Sequence, residues 1–439
     1  MRHRRETDQR MRRVLLSLTA IGGIVAAAGS LVMAVALAAL MIVGRDELGA
    51  QSLMLGVLAL SLAIVAPVLG LLAAWHAGRG LANKPAAPFG LPSWGWLLLA
   101  LLLTLAGGQA LFNLGLQPAV ALGHILAAIL ASLLMLAIPV QAARRQGWTI
   151  GRRAGTTSLA WGALGGVGLA AIAEVIVVAG IVVAAALIVS FVDPSWTEQA
   201  TGTLESLGGS GEPGLQALAP LLGSPLILLG GLLLMAGLIP VIEEFVKSLA
   251  IPLVYASGRT LTEADAFLLG AAAGAGFTLI EGITNGAMAL MQPAGWAMAM
   301  AARSGVAVIH VLASALAGLA WHAGLVRRRW GRALALFLAP VVLHGIWNGG
   351  AVTIAWLGLR SGSQPLDTGV SGGNLLVLAV VTLLGAVFAG SVISLALLPR
   401  RLVEASAAPI AEPAAPTAEL AAPTAELAPV EPPAGETGV

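Results

Sequence analysis

The sequence predicts an all-α membrane bundle of about ten transmembrane helices with both termini in the cytoplasm. Three observations predict it. Of 439 residues, 58% are hydrophobic and only 10% charged, with a mean hydropathy of +0.93; that composition belongs to polytopic membrane proteins. The apolar residues fall into ten runs, each long enough to cross a bilayer. The basic residues fall almost wholly in alternate connections between those runs, as the positive-inside rule requires.

Residues 1–13 read as a basic cytoplasmic N-terminus. The run that follows, Val14–Val43, carries an Ala-x-Ala pattern near Ala34 and Ala36 but is too long for a cleaved signal region, so it reads as an uncleaved first span. Further runs lie at about 53–75, 94–116, 118–140 and 158–191, which completes a five-helix N-terminal region over 14–191. Residues 192–224 hold Asp193, Glu198, Glu205 and Glu212 without a base and are rich in Gly, Ser and Pro, an extracytoplasmic connection. A second membrane region, 225–359, contains runs at about 225–257, 264–291, 295–326 and 333–359; the last span, about 374–398, sits in 360–401. Beyond it, 402–439 is an Ala/Pro/Glu-rich tail with a tandem Ala-Ala-Pro-Thr-Ala-Glu-Leu at 414–420 and 421–427, a composition expected to stay disordered in the cytoplasm.

The charges test this count. Arg79, Lys84, Arg144, Arg145, Arg152, Arg153, Arg259, Arg327, Arg328, Arg329, Arg332, Arg400 and Arg401 all fall on the side of the N-terminus. The opposite connections hold only Arg45 and Arg360, with Arg303 near a helix end. Cysteine is absent, which excludes disulfides, a thiolate nucleophile and cysteine-bound metal. The net charge of +2 says little, because the positions of the positive charges matter more than their sum; no nucleic-acid partner is expected, and the expected surroundings are the lipid bilayer of the cell membrane, crossed many times.

Polar residues inside the spans carry the functional signal. Pro240-Val-Ile-Glu-Glu-Phe-Val-Lys-Ser248 places Glu243, Glu244 and Lys247 within an otherwise apolar run, where each charge costs roughly 2.5–3.5 kcal/mol at a helix centre. On a helix, Lys247 stands four residues from Glu243 and three from Glu244, so it is expected to neutralise one acid and leave the other for chemistry. Adjacent positions diverge by about 100°, so the two acids are not expected to aim at one point. Pro240, lacking an N–H, can open the helix just before the pair. Glu281, His310 and His344 lie on the three following spans. The span midpoints fall near residues 241, 278, 311 and 346, so these groups all sit within roughly 6 Å of the same depth. Phe277 and Asn285 flank Glu281 by one turn, Ser314 follows His310 and Asn348 follows His344 at the same spacing. Gly270, Gly274 and Gly276 precede Glu281 with the small-residue spacing that brings helices close. Glu174 reads as a supporting acid, and His124, His322 and Arg303 as packing or interface residues.

The pattern Glu243-Glu244-x-x-Lys247, Phe277-x-x-x-Glu281, His310 and His344-x-x-x-Asn348 resembles that of the PrsW family of intramembrane proteases, relatives of the type II CAAX-processing endopeptidases. The resemblance covers about residues 225–350. It implies a protease core over 225–359, with peptide-bond hydrolysis of a membrane-anchored protein substrate. It names Glu243, Glu244, Glu281, His310, His344 and Asn348 as catalytic candidates, supported by Lys247, Phe277 and Asn285. Two mechanisms suit these residues. In one, Glu243 activates water without a metal, held with Glu281 or His310, while His344 and Asn348 stabilise the oxyanion. In the other, zinc is bound by His310, His344 and a glutamate such as Glu281, and a second glutamate acts on the metal-bound water. A proton- or cation-coupled transporter, or a catalytically silent scaffold of the same fold, would also concentrate polar groups at the midplane.

Overall fold

The structure, a computed structural model, describes residues 2–44, 51–192, 225–256, 260–291, 293–361 and 372–407. Ten helices among these residues are long and apolar enough to cross a membrane. They are α1 (Arg2–Val43), α2 (Gln51–Leu81), α3 (Trp94–Asn113), α4 (Gln117–Arg144) and α5, which runs through Arg152–Ala160, a π turn at Trp161–Gly166, and Val167–Val192. The interrupted α6 comprises Pro225–Leu232, a π turn at Leu233–Leu238, Ile239–Ser248 and Ala250–Ala256. The remaining helices are α7 (Glu263–Gly286), α8 (Trp296–Leu325), α9 (Trp330–Ser361) and α10 (Gly372–Ala407). Each expected span coincides with one of them. The expected 192–224 connection, apart from Val192 at the end of α5, and the tail lie outside the described residues, except that α10 continues to Ala407, past the expected boundary at 401.

The loops support the one-sided distribution of basic residues. The α2–α3 and α4–α5 connections meet, with Phe89 N–H donating to Ile150 O and Arg152 N–H to Ala87 O. The Arg153 guanidinium caps the end of α2, donating to the carbonyls of His76 at 2.9 Å and Lys84 at 2.7 Å. At the other end, Gln109 on α3 donates to Pro293 O and accepts from Ala297 N–H, tying α3 to the α7–α8 connection.

The core forms around α7 and α8. α7 is buried along most of its length, whereas α10 is mostly exposed. α7 starts with a capping box, in which the Thr262 hydroxyl accepts from Asp265 N–H and the Asp265 carboxylate from Thr262 N–H. Its glycines let neighbouring backbones touch. A Cβ at Gly274 would collide with His310 O on α8, and one at Gly276 with Leu159 O on α5. With lipid outside as apolar as the side chains within, this close approach is what packs membrane helices together. It also sets Glu281 beside His310.

Candidate active site

The site begins with an irregularity in α6. At the end of its π turn, Ile239 N–H reaches back five residues to Leu234 O. The next donor in that pattern would be Pro240, which has no N–H. Met235 O therefore lacks a partner within its helix, and a carbonyl at membrane depth needs one. Asn348 on α9 supplies it, donating Nδ2–H at 3.0 Å. The sequence placed Asn348 at the oxyanion; in the structure its amide holds α9 against the opened turn of α6.

Below that turn, Glu243 and Glu244 converge on a single atom. Lys247 Nζ lies 2.7 Å from Glu243 Oε2, 2.9 Å from Glu244 Oε1 and 2.8 Å from His310 Nδ1. The expectation that the lysine would neutralise one acid and that the two acids would diverge fails for a simple reason. Lys247 stands one turn on, between the two directions, and its long side chain spans both. The ring of Phe277 covers the ammonium, its centroid 3.9 Å from Nζ, a further favourable contact for a buried cation. Glu244, Lys247 and His310 are fully buried.

His344 completes this half of the site. Its Nδ1 lies 2.9 Å from Glu244 Oε1, and its Nε2 faces Glu243 Oε2 across 3.8 Å. Ser314 donates to the other oxygen of Glu244 at 3.3 Å. Glu244 is thus held on both oxygens, whereas the Glu243 side chain keeps 9% of its exposure. The rings of His310 and His344 meet edge to face, 4.7 Å between centroids.

Glu281 occupies the far edge of His310. Its Oε2 is 2.7 Å from His310 Nε2, a close contact out of line for a hydrogen bond, while Asn285 donates to its Oε1 at 2.9 Å. Arg303 Nη2 lies 2.6 Å from the same Oε1. In the sequence Arg303 reads as a packing or interface residue. The missed signal was its spacing, seven residues or two turns before His310, which puts both on one face of α8.

The other polar residues lie apart from this network. His124 contacts Ile283 O at 3.0 Å, tying α4 to α7 just past Glu281, and His322 contacts Leu261 O at 3.1 Å at the start of α7. Glu174 is half-buried on α5 and, among the described residues, shares none of the hydrogen bonds above. Trp161 Nε1 donates to Val246 O and Trp321 Nε1 to Ser248 Oγ, so indoles from α5 and α8 brace the helix that carries the acids.

This arrangement spans α6 to α9, and the family comparison covers the same stretch. Residues 215–368 match the sequence model of the PrsW family intramembrane metalloprotease. This segment is similar to the PrsW family. No curated protein and no solved structure matches the chain. Helices α1 to α5 and α10 lie outside the PrsW match, so the family relation rests on the four helices that build the site.

The PrsW description names a metalloprotease, which raises the question of whether these residues suit a metal. Glu243, Glu244, His310 and His344 each offer a ligand atom, all within 4.8 Å of one another, and carboxylate with imidazole is a zinc-type donor set. A glutamate such as Glu281 was expected to join His310 and His344 as a ligand; Glu281 lies at the opposite ring edge of His310 from Lys247. The decisive group is Lys247. Its ammonium already takes three of the four residues at 2.7–2.9 Å, and a divalent cation beside it would meet a like charge at close range. With Lys247 in place, the donor set does not fit zinc.

Proposed function

We propose that the protein is an intramembrane endopeptidase of the cell membrane that hydrolyses peptide bonds of membrane-anchored protein substrates, with water activated by Glu243. The observation that supports this reading is the asymmetry of the paired acids. Lys247 binds both acids, but Glu244 is also held by His344 and Ser314 and has no exposure, while Glu243 keeps 9% side-chain exposure and faces His344 Nε2 across 3.8 Å.

The chemistry follows from charge. Glu243 and Glu244 carry two negative charges against one on Lys247, so one further proton balances this part of the cluster. We assign that proton to the pair formed by Glu243 and His344, whose Nε2 faces Glu243 Oε2 across 3.8 Å. With the proton on His344, Glu243 takes a proton from water as its oxygen attacks the scissile carbonyl carbon. His344 Nε2–H faces the same gap, stabilises the oxyanion and then protonates the leaving nitrogen. Glu244 holds His344 Nδ1 and so aims the ring. Glu281 and Arg303 hold His310, which in turn accepts from Lys247. Asn348 acts through the frame, by keeping the opened turn of α6 in place.

The test is cleavage of a panel of single-span proteins by the purified protein in proteoliposomes. Wild type is expected to produce fragments whose new termini map inside or at the edge of the apolar segment, and Glu243→Gln to produce them about a thousandfold more slowly. Fragments from Glu243→Gln at the wild-type rate, or an uncut panel with wild type, would overturn the reading.

A further inference from the structure

We infer that Lys247 is the resident cation of this site: its ammonium fills the place that a metal ion would take, and the donor set works around it without a metal. An ammonium has three N–H donors and no acceptor. Around Nζ the structure provides three acceptors, Glu243 Oε2, Glu244 Oε1 and His310 Nδ1, at 2.7, 2.9 and 2.8 Å. Every donor is used, and each of the three acceptors belongs to a residue of the metal-capable cluster.

The distances separate the two cations. Zinc binds imidazole nitrogen and carboxylate oxygen at roughly 2.0–2.2 Å, whereas these donors stand about 0.7 Å farther out, at the spacing of charge-assisted hydrogen bonds. Phe277 closes the site by laying its ring over Nζ at 3.9 Å, a contact suited to an ammonium and one that offers a metal no ligand. The side chain of Lys247 is wholly buried, so the charge has no route to water that leaves the cluster intact. Accepting from Lys247 at Nδ1 also fixes neutral His310 in the tautomer that carries its proton on Nε2, the nitrogen on the Glu281 side of the ring. Lys247 is thus a positioning residue for both acids and for His310.

This inference rests on the proposed site, but its main test needs no substrate. Wild type purified in detergent is expected to carry only substoichiometric zinc and to show no visible Co2+ absorption on titration. Lys247→Ala leaves two carboxylates and two imidazoles with no cation among them. It is expected to bind Co2+ at least about tenfold more tightly than wild type, with the absorption of a low-coordinate site and a rise in melting temperature on metal addition. Lys247→Met, which keeps the bulk of the side chain, serves if the alanine variant does not fold. Stoichiometric zinc in wild type, equal Co2+ affinity in wild type and variant, or no Co2+ site in either folded variant would overturn the inference. If both variants fail to fold, the wild-type metal content and Co2+ titration decide it alone. Where cleavage is measurable, wild-type activity is expected to survive a strong chelator; loss that zinc restores counts against a resident lysine. Failure to find a substrate would bear on the peptidase reading and leave the metal measurements standing.

Discussion

Arg303 and Glu281 meet across the α7–α8 contact, Nη2 to Oε1 at 2.6 Å, on the far side of His310 from Lys247. His310 therefore lies between two charged assemblies: Glu281 with Arg303 at one ring edge, and Lys247 with the α6 acids at the other. Neither Arg303 nor Glu281 is fully shielded, with side-chain exposures of 22% and 17%. Removing one partner of a buried pair costs about 3–5 kcal/mol, and this degree of access reduces it to about 1–3 kcal/mol. Arg303→Gln is therefore expected to lower the melting temperature in detergent and to slow cleavage about tenfold to a hundredfold, as Glu281 and then His310 lose their positions. Wild-type melting and turnover in Arg303→Gln would show that the pair holds nothing.

The close approach of α7 and α8 gives a second expectation. A Cβ at Gly274 would run into the backbone carbonyl of His310, whereas one at Gly282 on the same helix would meet Ala128 Cβ at an ordinary 3.5 Å. Gly274→Ala must push α8 away, and overpacking of this kind costs about 1–3 kcal/mol or more. It is expected to lose stability and cleavage together, with Gly282→Ala close to wild type. Melting curves and turnover for the pair test this; equal behaviour of the two variants would count against the helix contact as described.

Much of this was legible in the sequence, and the exceptions have physical reasons. Helix number and span followed from apolar length, and the common depth of Glu243, Glu244, Glu281, His310 and His344 from counting residues to each midpoint. Rotation about each helix axis could not be counted in that way. Arg303 lies two turns from His310, so depth alone put it at the outer end, while its long side chain reaches back to Glu281. The partner of Asn348 depended on the π turn at Leu233–Leu238, and nothing in that run of Leu, Met, Ala and Gly announces a change of hydrogen-bond register. The sharing of Lys247 between both acids was hidden because residue spacing gives directions from the helix but not the reach of a side chain.

Asn348 offers a test of frame against chemistry. Its amide donates to Met235 O, a carbonyl that Pro240 leaves without a helical partner. Asn348→Ala strands that carbonyl, at about 1–3 kcal/mol. The expected result is a lower melting temperature, with turnover per folded molecule within about threefold of wild type, the scale of a lost neutral hydrogen bond acting at a distance. A loss of more than about a hundredfold with unchanged melting would instead put Asn348 at the oxyanion, where removal of one donor costs that much.

The paired acids separate most sharply when stability and turnover are measured together. Glu244 accepts from Lys247 and His344 on one oxygen and from Ser314 on the other, all without exposure to solvent. A glutamine there has one acceptor oxygen for three donors and turns its own N–H groups toward one of them. Breaking a buried ion pair in this way costs about 3–5 kcal/mol. Glu243 has its Lys247 contact at 2.7 Å, 9% side-chain exposure, and only a distant approach to His344 at 3.8 Å; Lys247 keeps Glu244 and His310 when Glu243 is neutralised. Glu243→Gln is therefore expected to melt closer to wild type than Glu244→Gln does, and to lose cleavage by a factor on the order of a thousand, the scale of a missing general base. Glu244→Gln is expected to show the reverse: a clear fall in melting temperature, with measurable turnover in the fraction that remains folded. Thermal melting and single-turnover cleavage of both variants in the same detergent decide the matter. If Glu244→Gln abolishes turnover in folded protein while Glu243→Gln retains it, the roles of the two acids are exchanged.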